Sequence, residues 1–486
     1  MATTALNPIA GGLAADRYAN RYIIAITVTL AAIMELIDTS IVNVAIPHMM
    51  GNLGATLDQI AWVSTGYIVA NVIVLPITGW LSSFFGRRRY FAGSIALFTI
   101  ASYFCGNSHS LGELVAWRIV QGLGGGALLS TAQATLYEVF PPNEYGTAMA
   151  IFGVGVMVGP TLGPTLGGYI TDVFSWPWIF YINIPFGIAA LVLTLAYLRD
   201  SRYARKSSRV DWTGLGLLAV GVGTLQTMLE RGERLDWFAS REIVTYAVLS
   251  VVSLAAFVWH ELSTDQPVVD LRILRSRQLA AGVGFGGMLG ICLYATIFVL
   301  PVYLQQLQGF TANQTGLVIL PGALASAVTM AVMARRVGTF DGRLSVVAGV
   351  AIFATAMWQM SHFTTLSGPN DFLWPMILRG VGLGLIFVPL TNLALADLPM
   401  DRIPNGTGLF NLLRQLGGSL GIAISATLLS RFAATNQAML AEHVSRFDPI
   451  TRARLTSIAT AMVARGELPA LAARHALAII DSQVTR

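Results

Sequence analysis

Residues 22–46, YIIAITVTLAAIMELIDTSIVNVAI, decide the fold class. As a helix these residues are roughly 37 Å long at about 1.5 Å per residue, enough to cross about 30 Å of hydrocarbon. A cleaved signal peptide is shorter, lacks acids such as Glu35 and Asp38, and ends in a small-residue cleavage site. A barrel strand would alternate polar and apolar residues over about ten positions, and this stretch does not. The segment therefore reads as a transmembrane helix with two carboxylates inside it.

The rest of the 486-residue chain has the same character. Hydrophobic residues make up 55% and charged residues 11%, with a mean hydropathy of +0.65. Average soluble proteins carry about 25% charged residues, so most of this surface must face lipid or protein. Thirteen stretches are long and apolar enough to span: 22–46, 60–81, 90–107, 113–135, 147–170, 177–198, 212–229, 243–260, 279–301, 314–334, 344–361, 372–396 and 407–430. The formal charge of +5 is too thinly spread for nucleic acid; the basic residues cluster in short runs between apolar stretches. The two cysteines, Cys105 and Cys292, both lie in apolar runs and make no disulfide framework.

Loop charge sets the expected orientation. With the N-terminus inside, seventeen basic residues fall in inside segments, among them Arg87, Arg88 and Arg89, against Arg231, Arg234 and Arg241 outside. The N-terminus is thus expected in the cytoplasm. Thirteen spans leave 431–486 outside, where two or three amphipathic helices broken near Pro449 and Gly466–Pro469 are expected. Either that end is external, or a fourteenth span lies beyond residue 486.

Spans four and twelve resemble each other: Arg118-Ile119-Val120-Gln121-Gly122-Leu123-Gly124 against Arg379-Gly380-Val381-Gly382-Leu383-Gly384. The basic loop 86–89 likewise matches 335–343. An offset of eight spans implies two six-helix halves separated by a two-helix insert, a parallel repeat of the kind transporters use, with the site between halves. The expected organisation is a cytoplasmic N-terminus (1–21), an N-terminal six-helix bundle (22–198), a two-helix insert (199–262), a C-terminal bundle showing five of six helices (263–430), and an external helical segment (431–486).

Much chemistry is absent. The only lysine, Lys206, follows Arg205, so no Gly-Lys-Ser/Thr phosphate loop exists and uphill work would draw on an ion gradient. The six histidines have no metal-ligand spacing, and neither a metal nor another cofactor is expected. Glycines 122–126 sit in an apolar helix, where close packing explains them better than a dinucleotide.

Glu35 and Asp38 are the sharpest signal. A carboxylate inside a span costs about 2.5–3.5 kcal/mol on insertion scales, so it usually faces a cavity or a partner. Spaced three apart, the two share a helical face. Asp38 and Arg118 lie at matching depth and form a plausible pair. Low dielectric favours the neutral acid and a nearby arginine the carboxylate, so moving the arginine or inserting a cation would load or release a proton. The alternative is a static ion pair that only orients helices. Arg379 and Arg414 carry the same two readings as candidates for a pathway in the second half.

Span five carries Gly155, Gly159, Gly163 and Gly167 in register, interrupted by Pro160 and Pro164. Small residues allow close helix approach and prolines bend the helix. The functional reading is a contact that seals one side of the pathway and parts during transport. The turn from Gly79 to Arg89 holds Gly79 and Gly86 with Arg87, Arg88 and Arg89, either topology anchors or a latch on helix C-termini and acidic side chains.

Taken together these residues resemble the major facilitator superfamily, end to end, and within it the fourteen-span drug:proton antiporters of the EmrB type. Leu36-Ile37-Asp38-Thr39-Ser40-Ile41-Val42-Asn43-Val44-Ala45-Ile46-Pro47 is similar to that branch's first-span motif, and Arg118-x-x-x-Gly122 to the span-four motif linked to proton coupling. Gly155 to Gly168 resembles the span-five antiporter motif; Trp178–Pro185 and Asn411–Gln415 are also similar to this branch. Where the superfamily usually has an aspartate in the loop after span two, Ser83 stands, so that aspartate's latch must be absent or replaced. Glu35 is an additional acid outside the family pattern. The resemblance implies an all-α polytopic membrane protein of the major facilitator fold. It further implies proton-coupled export of hydrophobic or amphipathic compounds from a bacterial inner membrane, with a periplasmic adaptor protein and an outer-membrane channel as partners and segment 431–486 in the periplasm. Two rivals remain open: proton-coupled movement of a specific metabolite, and a membrane-embedded sensor or enzyme.

Overall fold

The computed structural model describes residues 20–201, 210–335, 341–443 and 449–485; Arg17, Arg202, Arg205, Lys206, Arg209 and Arg336 lie outside them. The described residues are helical, without strands. Thirteen long helices occupy the predicted stretches: α1 (Arg21–Leu53), α2 (Leu57–Phe85), α3 (Arg87–Gly106), α4 (Leu111–Val139), α5 (Tyr145–Val173), α6 (Asn183–Tyr197, entered through the single turn Trp178–Tyr181), α7 (Trp212–Arg231), α8 (Arg241–Ser263), α9 (Arg277–Val302), α10 (Ala312–Arg335), α11 (Gly342–Met360), α12 (Pro369–Leu395) and α13 (Ile403–His443). Two more follow, α14 (Pro449–Val463) and α15 (Pro469–Thr485), which pack on each other.

Most helices outrun their apolar stretches because polar flanks continue the hydrogen-bond ladder. Helix starts are capped locally: Thr56 and Gln59 form a reciprocal capping box before α2, and Ser110 and Ser276 accept from backbone N–H groups of α4 and α9. Gly86, at φ +85°, turns α2 into α3 in a conformation that favours glycine.

By length and composition ten helices can cross a membrane, or eleven if α5, bent by 42° between Pro160 and Leu162, counts as one span. The expected count of thirteen is not reached on that measure because α3 and α4 fall short. The reason is where they sit. α3 opens with three arginines, and α4 is mostly buried against other helices, where Gln121, Ser130, Gln133 and its glycines serve packing instead of contact with lipid. Elsewhere large apolar side chains point outward: Ile26, Val192, Val251, Val328 and Val347 are each more than half exposed. A soluble monomer rarely shows so much apolar surface; these are lipid-facing positions.

Helices α1–α6 pack as one bundle and α9–α13 as a second, with the α7–α8 pair lying against α2 and α13. Small residues set the close approaches. A Cβ on Gly122 or Gly126 of α4 would overlap backbone carbonyls of Tyr67 or Asn71 on α2, and one on Gly124 would press on α3. α12 repeats this scheme: Gly380 meets α10 and Gly382 meets α11. The sequence repeat between spans four and twelve thus corresponds to equivalent neighbours at the same offset of eight helices.

The bundles meet along α5–α10, α2–α13, α4–α13 and α5–α12. Hydrogen bonds between them lie toward the end of the molecule that carries Arg87–Arg89, here called the basic end. Tyr137 donates to Asn392 (2.7 Å), Asn411 donates to Gln133 (2.8 Å) and Ser130 (3.3 Å), and Gly408 packs on the carbonyl of Leu75.

Gly126→Ala forces its new methyl into a backbone carbonyl and is expected to destabilise the protein by about 1–3 kcal/mol. Gly93→Ala on α3, with nothing within 4 Å, should be neutral or stabilising by about 0.5–1 kcal/mol. Thermal unfolding of the two variants in detergent checks the contrast.

Candidate functional site

Asp38 lies on α1, 15 residues before its end, and is fully buried. Arg118 reaches it from α4: Nη1 donates to Asp38 Oδ2 at 2.5 Å. Two uncharged donors take the other oxygen, Gln121 Nε2 (2.9 Å) and Asn183 Nδ2 (2.9 Å), both also held by Ser102 Oγ of α3. Arg118 is held by further partners. Its Nε donates to the Val63 carbonyl (3.0 Å), Nη1 also to Gln121 Oε1 (2.6 Å), and its plane lies 4.0 Å from the Tyr67 ring centroid. Four helices and the entry to a fifth thus converge on one carboxylate. Both carboxylate oxygens of Asp38 thus already have donors.

Glu35, one turn earlier, is served differently. Asn71 Nδ2 donates to Oε1 (2.9 Å), whereas Oε2 has no partner among the described residues. Gly125 of α4 leaves the space beside Glu35, Tyr67 and Asn71 that a Cβ would fill. The guanidinium of Arg414 acts on Glu35 electrostatically from the second bundle, as does Asp38 from its own helix. Arg414 is buried, donates to Asn411 Oδ1 (3.3 Å), and leaves Nε and Nη1 without hydrogen-bond partners among the described residues. Arg379 is buried in α12, away from the Asp38 cluster, beside a small cavity between the bundles. The structure therefore joins Asp38 with Arg118 and sets Glu35 within reach of Arg414's field, while Arg379 stands apart.

The glycine stripe of α5 faces α1. Side chains at Gly155, Gly159, Gly163 and Gly167 would collide with Ile33, Leu36, Ser40 and Ile41, all on α1 in the same bundle. This seam lies inside the first bundle, with Pro160 and Pro164 in the bent part of the helix. The inter-bundle face of α5 carries Gly153, against Met330 and Phe387, and Thr165, against Gly316. Gly153 is two residues from Gly155, about 200° around the helix, so the sequence register that marks one face leaves the other unmarked. In the second bundle Gly417 and Gly421 of α13 press on α9 backbone in the equivalent way, a signal spread too thinly in sequence to stand out.

At the basic end, Arg87 pairs with Glu138 (2.5 Å), and Asp200 accepts from the backbone N–H of Arg88 (3.0 Å) beside Gly86. These arginine contacts reach Glu138 of α4 and Asp200 just after α6, not the second bundle. The contact that crosses is at Gly79, where a Cβ would overlap Asn405 at the start of α13. Ser83 only donates to the Gly79 carbonyl (2.9 Å). Sequence reasoning missed Gln121, Asn183, Ser102 and Asn71; the available signal was uncharged polar residues inside apolar stretches. No group of three or more His, Cys, Asp or Glu that could hold a metal occurs among the described residues.

This arrangement of two packed bundles, with buried charge inside each, is that of a secondary transporter and not of an enzyme. The chain matches the Major Facilitator Superfamily over residues 28–422 and belongs to it. It is 36% identical to the multidrug export protein EmrB of Escherichia coli K12 over 439 residues, covering 90% of this chain and 85% of that one. To the fatty acid resistance protein FarB of Neisseria gonorrhoeae it is 35% identical over 426 residues, 87% and 84% of the two chains. In fold it is similar to the human organic anion transporter MFSD10, with a TM-score of 0.61 at 16% identity, covering 84% and 93%.

Arg118→Leu strands a buried carboxylate, and breaking one side of such a pair costs about 3–5 kcal/mol. The variant should melt well below the native protein in detergent. The Asp38→Leu/Arg118→Leu double variant should recover part of that loss, and non-additivity in a thermal-stability cycle measures the coupling.

Proposed function

We propose that this protein is a proton-coupled multidrug exporter of a bacterial inner membrane, working by alternating access of the two bundles. In this reading all thirteen long helices α1–α13 span the membrane and the N-terminus is cytoplasmic. The bundles are 22–198 and 263–430, with 199–262 as the insert. The observation that carries it is the pair of acids on one turn of α1: Asp38, held by Arg118, Gln121 and Asn183, and Glu35, with one oxygen unpartnered among the described residues. In that state Asp38 is occupied by its donors and Glu35 is the acid available to a proton or a cationic passenger. Shifting α4 relative to α1 would withdraw Arg118 and leave Asp38 to be neutralised by a proton, because an isolated buried carboxylate is costly.

The inter-bundle contacts Tyr137–Asn392, Asn411–Gln133 and Gly79–Asn405 then form the cytoplasmic gate, closed here, with the access route toward the opposite face. Asn405 takes the place of the latch that Ser83 cannot make. The multidrug and tripartite parts of the reading rest on similarity to EmrB; a periplasmic adaptor would meet the end of α13 together with α14 and α15, segment 431–486, and an outer-membrane channel would complete the path.

In proteoliposomes, an imposed pH difference should drive drug movement by the native protein, and collapsing it with an uncoupler should stop it. Asp38→Asn should abolish the gradient-driven component while leaving the amount of protein in the membrane unchanged. Efflux in cells that survives both treatments would overturn the proposal.

A further inference from the structure

The basic end, where the bundles meet, is not solid. Beside the Tyr137–Asn392 hydrogen bond lies a cavity of about 330 Å³, within the range of sites that hold small molecules. Both bundles wall it. Tyr137 at the end of α4 and Tyr145 at the start of α5 come from the first; Met333 of α10, Ser345 of α11, Asn392 of α12 and Met400 before α13 come from the second. Tyr145 Oη also meets Met400 Sδ at 4.0 Å, a further contact between the two sides. The cavity lies far from the acids of α1: Tyr137 follows Arg118 by 19 residues on α4, roughly 28 Å along its axis at about 1.5 Å per residue.

Its lining selects one chemistry. No described residue that lines it is charged, so an ionic occupant would lose its hydration without compensation. The Tyr137 and Tyr145 rings meet edge to face (centroids 5.0 Å apart, 75° between planes), and two thioethers stand with them, surfaces that suit an aromatic ring. The Ser345 hydroxyl is turned to the Asp341 carbonyl (3.4 Å). Asn392 is the polar anchor. Its Oδ1 accepts from the Tyr137 hydroxyl (2.7 Å), while its buried Nδ2 has no acceptor among the described residues. A buried donor without an acceptor is costly, and a carbonyl oxygen on the occupant would supply one.

We propose that this cavity binds a small neutral aromatic ketone or amide, and that the bound molecule holds the basic end shut. The inference rests on the alternating-access reading above and adds to it an inhibitory site apart from Asp38 and Glu35. Because each bundle supplies part of the wall, opening that end pulls the site apart. A molecule that binds only one of two states shifts the balance toward that state. The occupant therefore arrests the exchange and is not a passenger carried by it.

Benzophenone and diphenylmethane share two rings and differ in the carbonyl oxygen. Benzophenone also bonds to neighbouring C–H groups under near-ultraviolet light, so peptide mapping of the full chain in nanodiscs locates it. Adducts are expected on the peptides that carry Met333 and Met400. Asn392→Asp keeps an acceptor for Tyr137 but removes the donor, and should lower this labelling about tenfold or more. Met400→Trp fills the cavity with Asn392 in place and should abolish it, which keeps the test open should Asn392→Asp fail to fold. The gate is read with Thr407→Cys in a Cys105→Ser/Cys292→Ser background. Thr407 is fully buried where α13 meets the Ser130 carbonyl of α4, so a maleimide reaches it only when that end opens. In the dark, benzophenone at about ten times its dissociation constant should slow the maleimide reaction about tenfold, and diphenylmethane at the same concentration should not. Adducts only elsewhere, labelling indifferent to both variants, or an unchanged Thr407→Cys rate would overturn the proposal. Uncoupler-sensitive drug movement without benzophenone reports on the export reading separately.

Discussion

A carboxylate and a guanidinium, Asp38 and Arg118, sit at 2.5 Å inside a largely apolar bundle, and much of the first half of the molecule is arranged around them. Charges so placed lose their hydration, and their mutual attraction compensates only when the remaining hydrogen-bond positions are also filled. That requirement brings Gln121 and Asn183 to the second oxygen, Ser102 behind both, and the Val63 carbonyl to the arginine. It also explains the glycines on α4. The guanidinium can reach α1 and α2 only if the backbones approach closely, which Gly122, Gly125 and Gly126 allow.

Beside this cluster, three charged groups within α1, α12 and α13 have atoms without hydrogen-bond partners among the described residues: one oxygen of Glu35, two nitrogens of Arg414 and one of Arg379. They divide by bundle, acid in the first and base in the second. A membrane transporter must exchange partners at buried sites, and groups lacking a partner in one state are the natural places for that exchange. The proton reading uses the acidic side of this division. Membership of the Major Facilitator Superfamily supplies the architecture in which the two sides face each other.

Packing within a bundle and packing between bundles use different faces of the same helix. On α5 the register of Gly155, Gly159, Gly163 and Gly167 belongs to α1, while Gly153 and Thr165 look to α10 and α12. A small-residue stripe announces that some helix comes close. It does not say whether that helix moves with it.

Residues 22–46 and the apolar stretches like them were sufficient to establish helices in a membrane, because an unsatisfied backbone in hydrocarbon leaves few alternatives. The two acids in α1 were legible as special for the same reason, and their depth against Arg118 was legible from helix rise alone. Tertiary structure decided the rest. Asn183 arrives at Asp38 from 145 positions away and Asn411 reaches Gln133 across 278, and no local pattern encodes such meetings. Whether an arginine in a span finds an acid, as Arg118 does, or lacks one, as Arg379 does, depends on which helix faces lie together, and burial on every side erases the periodicity from which a face could be read.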